Sequence, residues 1–409
     1  MPRCSLFVVL ALSATLSAQA RLGVPSYAQP GSGAWDAWQA VGPGGLGLMI
    51  VNLNNGDDET YDPTVDKAVQ QARKKGIFVL GYTYTKYGAR DPKIVRQKVD
   101  AVYRNYLVDG MFFDEAPTNC NDANSYAGTQ FLYYQELMNH VRAKQAGARL
   151  TVLNPGVYIA NDCWMSIANI VMNWENPGLT NYEQNYVDYP WTHKYSPDRF
   201  WHIIYGVPAT DLPKIQALAQ QRNAGWLYVT DRGGNNPYAL PPTYWKAAAA
   251  TIAAQDVQSP FASAWPISDD GNGGIMPART SFRWTAARGA EWQVFLDTDQ
   301  NSKTGYQDAQ LTVGADFYLD GTAAGAAHLF RYAGTGTNWS WTEVPANAQI
   351  AFPEMNVNLA MLDTKALGGT KALTYQIRTL DANNNQLSTS YAEPFSVNNT
   401  GMLFDLTNH

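Results

Sequence analysis

Short apolar runs alternate with longer amphipathic stretches from about residue 22 to residue 255, and few folds accommodate that pattern. The runs are LGVPSYA from Leu22, GLGLMIVNL from Gly45, IFVLGYTY from Ile77, GMFFDE from Gly110, RLTVLNP from Arg149, NIVMNWE from Asn169, FWHIIYGV from Phe200 and GWLYVTD from Gly225. Runs this short and this apolar read as strands buried on both faces. Between them PTVDKAVQQARKKG, PKIVRQKVDAVYRNYL, TQFLYYQELMNHVRAKQ and LPKIQALAQQRNAG place apolar residues at helical spacing. Gly76, Gly147 and Gly225 follow three of these as expected C-terminal stops. Eight such units predict a (β/α)8 TIM barrel over residues 21–256. A doubly wound open sheet is the alternative, but no GxGxxG follows the first run.

After Ala254 the period changes. PISDDGNGG is a polar, Gly-rich turn region, followed by the alternating runs RTSFRWTA, EWQVFLDT, GADFYLDG, AAHLFRYAG and ALTYQIRTL. With no long helical stretch between them, residues 263–409 predict an all-β antiparallel sandwich. NWS at Asn338 and NNT at Asn398 fit N-glycosylation acceptors, a triplet that also arises by chance.

Residues 1–20 have a signal-peptide layout: Arg3, the apolar run Leu6 to Leu12, then Ala18-Gln19-Ala20 as a small-x-small cleavage site. An exported protein is therefore expected, extracellular or periplasmic. No apolar stretch reaches the length of a membrane span, so no membrane partner is expected. Loss of Arg3 takes the formal charge from -6 to -7, which argues against nucleic acid as a partner and favours a neutral or cationic one. A monomer is expected. Cys4 leaves with the leader, and Cys120 and Cys163 are then expected to pair as a disulfide. Neither lies in a CxxC or Cys/His cluster, which speaks against zinc.

Barrels of this type build their active sites at the C-terminal ends of the strands. Those ends carry Asn52 and Asn54, Tyr82 and Tyr84, Asp114 and Glu115, Asn154, Trp174 and Glu175, Tyr205, and Thr230 and Asp231. Carboxylates, amides and aromatic rings dominate; there is no nucleophile elbow and no phosphate loop. Two carboxylates across an oxygen-rich, ring-lined cleft suggest glycoside hydrolysis, with Asp114 or Glu115 from strand four and Glu175 from strand six as the pair. Strand alternation gives the adjacent Asp114 and Glu115 different directions and so different roles; Glu115 has a capping or salt-bridged reading beside the functional one. His193 and His202 lie near strand seven, where a structural role is the plainer reading.

These residues match a known pattern. VPSYAQP, IVNLNNGDD, VLGYTYTKYGARD, GMFFDEAP, LNPG, NWENP and LYVTDRGGNNPYALPPTYW occur in the order found in the spherulin-4 family of (β/α)8 glycoside hydrolases, which the first domain resembles. NLNNGDD departs from it, since the family more often has Asn-Pro and a Gly-Pro-Gly turn there. The resemblance implies endo-hydrolysis of α-1,4-linked N-acetylgalactosamine in partly deacetylated galactosamine exopolysaccharides such as those of biofilms. It also implies Asp114 as nucleophile, Glu175 as general acid/base and Glu115 in support. Tyr27, Asn54, Tyr82, Tyr84, Asn154, Trp174, Tyr205, Tyr228 and Asp231 are then expected to bind substrate, with no cofactor required. A non-catalytic polysaccharide-binding or coat protein on the same scaffold, and a hydrolase of another α-linked galactan, are the alternatives.

The second domain more loosely resembles exported carbohydrate-binding or DOMON-like sandwiches, through FLDTDQNSKTGY and GADFYL. Asp297, Asp299 and Asn301 have the alternate spacing of Ca²⁺ ligands, but Ser302 stands where an EF-hand-type loop requires Gly. A polar hairpin turn accounts for DTDQNSKTG better than a metal does. Trp339 and Trp341 share one face of an alternating run and are read either as a sugar-stacking platform or as packing.

Overall fold

In this computed structural model residues 20–41, 46–144 and 149–253 are described. So are 261–265, 268–269, 275–276, 279–285, 291–322, 327–346, 348–354, 357–368, 370, 372–389 and 392–396. Residues 1–19 of the expected leader, the Gly147 stop and the Asn398 triplet lie outside the described residues.

Eight parallel strands close into a barrel: β1 (Arg21–Val24), β2 (Leu48–Val51), β3 (Phe78–Tyr84), β4 (Gly110–Asp114), β5 (Leu150–Leu153), β6 (Ile170–Pro177), β7 (Phe200–Tyr205) and β8 (Trp226–Val229). Each pairs with its sequence neighbours, and β8 returns to β1. The surrounding helices start where the chain supplies caps. Asp62 accepts from the Thr64 N–H ahead of α2 (Pro63–Lys74), and Asp91 from the Lys93 N–H ahead of α3 (Pro92–Asn105). In both, proline takes the first position, where no N–H is needed. Val65, Ala68, Val69 and Ala72 form the buried stripe of α2, and Gly76 follows in the left-handed region at φ +81°.

Gly225 has a different reason from the one expected. The helix before it, Leu212–Gln221, ends at Arg222 with Asn223 taking the positive φ. A Cβ on Gly225 would lie 2.4 Å from the Pro197 carbonyl carbon, so the site needs glycine for close approach. The fifth unit also departs from the repeat. After β5 the chain forms a short 3-10 turn, Cys163–Ser166, in place of an α-helix.

The barrel is packed rather than hollow. In-register pairing points Leu48, Ile50, Leu80, Phe112, Val152, Trp201, Ile203, Trp226 and Tyr228 inward, all of them buried. A Cβ on Gly23 would lie 2.9 Å from the Trp201 indole, and one on Gly47 2.8 Å from that of Trp226, so these glycines admit the two rings. At Gly110 a Cβ would lie 2.1 Å from the Leu150 carbonyl oxygen.

The C-terminal part is all antiparallel β. One sheet orders Phe261–Trp265, Arg279–Thr285, Val357–Asp363 and Ala348–Glu354. The other has seven strands, among them β9 (Glu291–Asp297), β10 (Phe317–Thr322), β11 (Ala327–Tyr332), β12 (Trp341–Val344) and β13 (Ala372–Leu380). Trp292, Val294, Leu319 and Ile377 from the second sheet share a buried cluster with Ala360 and Leu362 from the first. Among the described residues no helix is long and apolar enough to cross a membrane.

Candidate active site

Alternation along β4 sends Met111 and Phe113 outward against the helices and Phe112 and Asp114 inward. Asp114 is the last residue of the strand, half-buried at the mouth. Three donors converge on its carboxylate: the Tyr82 hydroxyl at 2.6 Å to Oδ2, and Asn154 Nδ2 at 2.8 Å and the Glu115 N–H at 2.9 Å to Oδ1. Glu175 on β6 accepts from Asn154 Nδ2 at 2.7 Å on Oε2 and from the Tyr238 hydroxyl at 2.6 Å on Oε1.

Asn154 thus donates one N–H to each acid. Its orientation is determined, because its Oδ1 accepts from the Gly156 N–H at 2.8 Å, which leaves the amine facing the carboxylates. Two acceptors about 2.8 Å from one nitrogen, along N–H bonds roughly 120° apart, lie about 5 Å from each other. Burial and the neighbouring Asp114 charge raise the Glu175 pKa to about 7, against the partial relief given by its two hydrogen bonds. Tyr82 also meets the Tyr27 hydroxyl at 3.3 Å. Burial and the nearby carboxylates push the Tyr27, Tyr82 and Tyr238 phenols far up, so all three keep their protons as donors.

Glu115 adopts a left-handed backbone at φ +53°, which costs a non-glycine residue about 1 kcal/mol or more. Its carbonyl accepts from the Tyr87 N–H and Thr85 Oγ1, holding this turn in place. The capping and salt-bridge readings of its side chain do not apply: among the described residues its carboxylate has neither a hydrogen bond nor an ion pair.

Tyr205 is half-buried, with its ring 6.3 Å from that of Tyr238. Tyr84 lies further out, beneath the Arg90 guanidinium at 4.0 Å. Asn54 is exposed on the turn after β2, with φ +47°.

Three expected substrate contacts need correction. Trp174 is 2 % exposed and packs outward on Tyr182 and Tyr186. The cause is a register shift in β6 between Val171 and Trp174. Met172 faces in and so does Glu175, leaving Asn173 and Trp174 both outward. Tyr228 points inward but is fully buried beneath the mouth, against Tyr238 and Trp245. Asp231 is occupied by Thr243, whose N–H and hydroxyl both donate to it and hold its pKa low despite the opposing effect of burial. His202 is likewise outward and buried, bonded to the Tyr182 hydroxyl, and His193 pairs with Asp188 at the surface.

One site residue escaped the sequence reading. Tyr238 lies in the NPYALPP segment after β8, and only the return of that loop over the mouth brings it to Glu175. Asn52 was visible as a strand end. Register places it beside Tyr82, facing in, 7 % exposed, with neither amide atom bonded among the described residues.

Cys120 and Cys163 form the disulfide, 43 residues apart, tying the loop after β4 to the 3-10 turn after β5. Elsewhere Asp297, Asp299 and Asp316 bring carboxylate oxygens within 4.8 Å of one another. Asn301 takes part differently from the Ca²⁺ reading, since its backbone N–H donates to Asp297 and Asp299.

The sequence model of the spherulation-specific family 4 matches residues 21–252. Spherulin-4 of Physarum polycephalum is 29% identical over 185 residues, 44% of this chain and 51% of that protein, so the match spans about half of the relative's length. Among solved structures, Aspergillus clavatus Sph3 in complex with GalNAc aligns at 24% identity with a TM-score of 0.49, covering 58% of this chain and 99% of that one. A GH5 cellulase of Bacteroidetes affiliation aligns at 11% identity and a TM-score of 0.32, over 59% and 92%.

Proposed function

Since this chain belongs to the spherulation-specific family 4, we propose that it is an exported glycoside hydrolase acting within α-1,4-linked galactosamine-containing polysaccharide. The observation that carries the hydrolase reading is Asn154 Nδ2 donating to both carboxylates, of which Glu175 has its pKa raised to about 7 by burial and the neighbouring Asp114 charge. The galactosamine specificity rests on the motif resemblance. A cleft rich in carboxylates also attracts the free amines of a partly deacetylated chain.

In the first step Glu175 gives its proton to the departing glycosidic oxygen while Asp114 attacks the anomeric carbon, forming a glycosyl ester. The Tyr82, Asn154 and Glu115 N–H donors aim the Asp114 carboxylate. In the second step Glu175, now ionised, takes a proton from water as the water attacks the same carbon and Asp114 leaves. The shared Asn154 donor keeps the nearest oxygens of the two acids about 5 Å apart, which supports the retaining course over inversion, for which the carboxyl groups stand about 6.5–9.5 Å apart.

The test is incubation of the protein with partly deacetylated α-1,4-galactosaminan and sized oligomers. Products are followed by mass spectrometry, and the first-formed anomer by proton NMR. Shorter chains with retained configuration are expected, and loss of cleavage in both Asp114→Asn and Glu175→Gln. Unchanged cleavage by both variants overturns the site; cleavage of a different galactan alone overturns the substrate.

A further inference from the structure

Alternation in the seven-stranded sheet sends Trp292, Val294, Leu319 and Ile377 to the core and Gln293, Phe295, Tyr318 and Arg378 to the opposite face. That outer face is neither plainly polar nor plainly apolar. Tyr318 stacks on Phe330 at 4.9 Å and 11° and on Phe295 at 6.0 Å. Trp339, on the loop between β11 and β12, lies 5.2 Å from Tyr318 and 5.0 Å from Tyr306, yet keeps 46 % of its surface exposed. Its companion Trp341 is half-buried within the same ring cluster. A groove of about 820 Å³ opens beside Trp339, and its lining is otherwise mostly amide: Gln310, Asn384, Asn385 and Gln386 among them.

The charges in the groove narrow the ligand class. Arg378 donates through Nε and Nη2 to Gln293 Oε1 and through Nη1 to Asp308 at 3.0 Å. Among the described lining residues the one cation is therefore neutralised, and Glu291 adds a negative charge. A phosphate-bearing ligand would meet net repulsion. A protein partner would find little of the apolar surface that anchors an interface core. A sugar chain matches both parts of the lining. Its C–H face covers an indole held edge-on by other rings, and its hydroxyls meet planar amides able to donate and accept at once.

We propose that this groove binds an oligosaccharide, with Trp339 as the stacking platform and the amides of Gln310 and Gln386 as hydroxyl contacts. The site stands whether or not the barrel is a hydrolase, because every described lining residue belongs to the β-domain.

The experiment is calorimetric titration of the full chain carrying Glu175→Gln, so that no polymer is consumed. The probes are hexamers of galactosamine, N-acetylgalactosamine, glucosamine and cellulose-type glucose. For at least one hexamer two sites are expected, one in each domain. Trp339→Ala should weaken the second by about tenfold. Gln310→Ala and Gln386→Ala, both at exposed positions, should weaken it several-fold. The same changes in an otherwise unaltered chain should leave hydrolysis of a soluble trimer as it was. If Trp339→Ala lowers the melting temperature, the two glutamine variants decide. Binding of every hexamer unaffected by all three substitutions, or no binding of any hexamer, overturns the proposal. A second site retained in Glu175→Gln supports the groove whether or not trimer hydrolysis is lost, and loss of that hydrolysis supports the hydrolase function alone.

Discussion

Glu175→Gln separates the cost of holding this acid from its use. The folded protein keeps the Glu175 proton to about pH 7, whereas the reference carboxyl loses it at 4.5. Between those values the native state binds more protons than the unfolded chain, so stability is complete below pH 4.5 and falls as pH rises through 7. At 1.36 kcal/mol per pKa unit the fall amounts to about 3 kcal/mol, an upper figure because the carboxyl retains some contact with solvent. Glutamine carries no charge and keeps both partners. Its Oε1 accepts from Asn154, and its Nε2 donates to the Tyr238 oxygen. Urea unfolding of the barrel at intervals from pH 4 to 8.5 should show the variant and wild type nearly level in acid. The variant should gain up to about 3 kcal/mol by pH 8. Turnover should fall about 10²–10⁴-fold, the usual worth of a general acid. Parallel stability curves, or a wild type that gains on the variant as pH rises, would refute the reasoning.

Asn154→Ala removes a bond that lowers the Glu175 pKa, so the limb of the pH–rate profile near 7 should move upward while the maximal rate drops; an unmoved limb counts against the bridge. Asn52→Leu should add about 1 kcal/mol of stability by removing buried polar atoms that have no partner among the described residues, as read from urea denaturation. Cys120→Ser with Cys163→Ser should cost about 4 kcal/mol by the loop-entropy estimate for a 43-residue separation, measured as a shift of the barrel transition. Gly110→Ala should cost several kcal/mol, since its Cβ would meet the Leu150 carbonyl; solubility and melting temperature report it.

Much of the barrel was legible because buried parallel strands are continuous apolar runs and helices announce themselves through Asp-Pro starts such as Asp62-Pro63 and Asp91-Pro92. Asp114 and Glu175 were legible for a related reason, as acids placed where an apolar run ends. Asn154 was recognised as a site residue but not as a bridge between acids, because a hydrogen bond across three strands has no trace in one of them. Sequence alone does not separate Tyr238 from Tyr228, since the direction of the loop after β8 decides which hydroxyl reaches Glu175.

The chain by itself determined that strand ends would gather acids, amides and tyrosines at one mouth, because period and polarity are local properties. Which of two adjacent residues faces that mouth was decided only in three dimensions. Simple alternation from Met172 would have put Trp174 in the cleft and Glu175 among the helices. The shift in β6 reverses that order, and it exists because β7 pairs with β6 on both sides of Asn173 in two different registers.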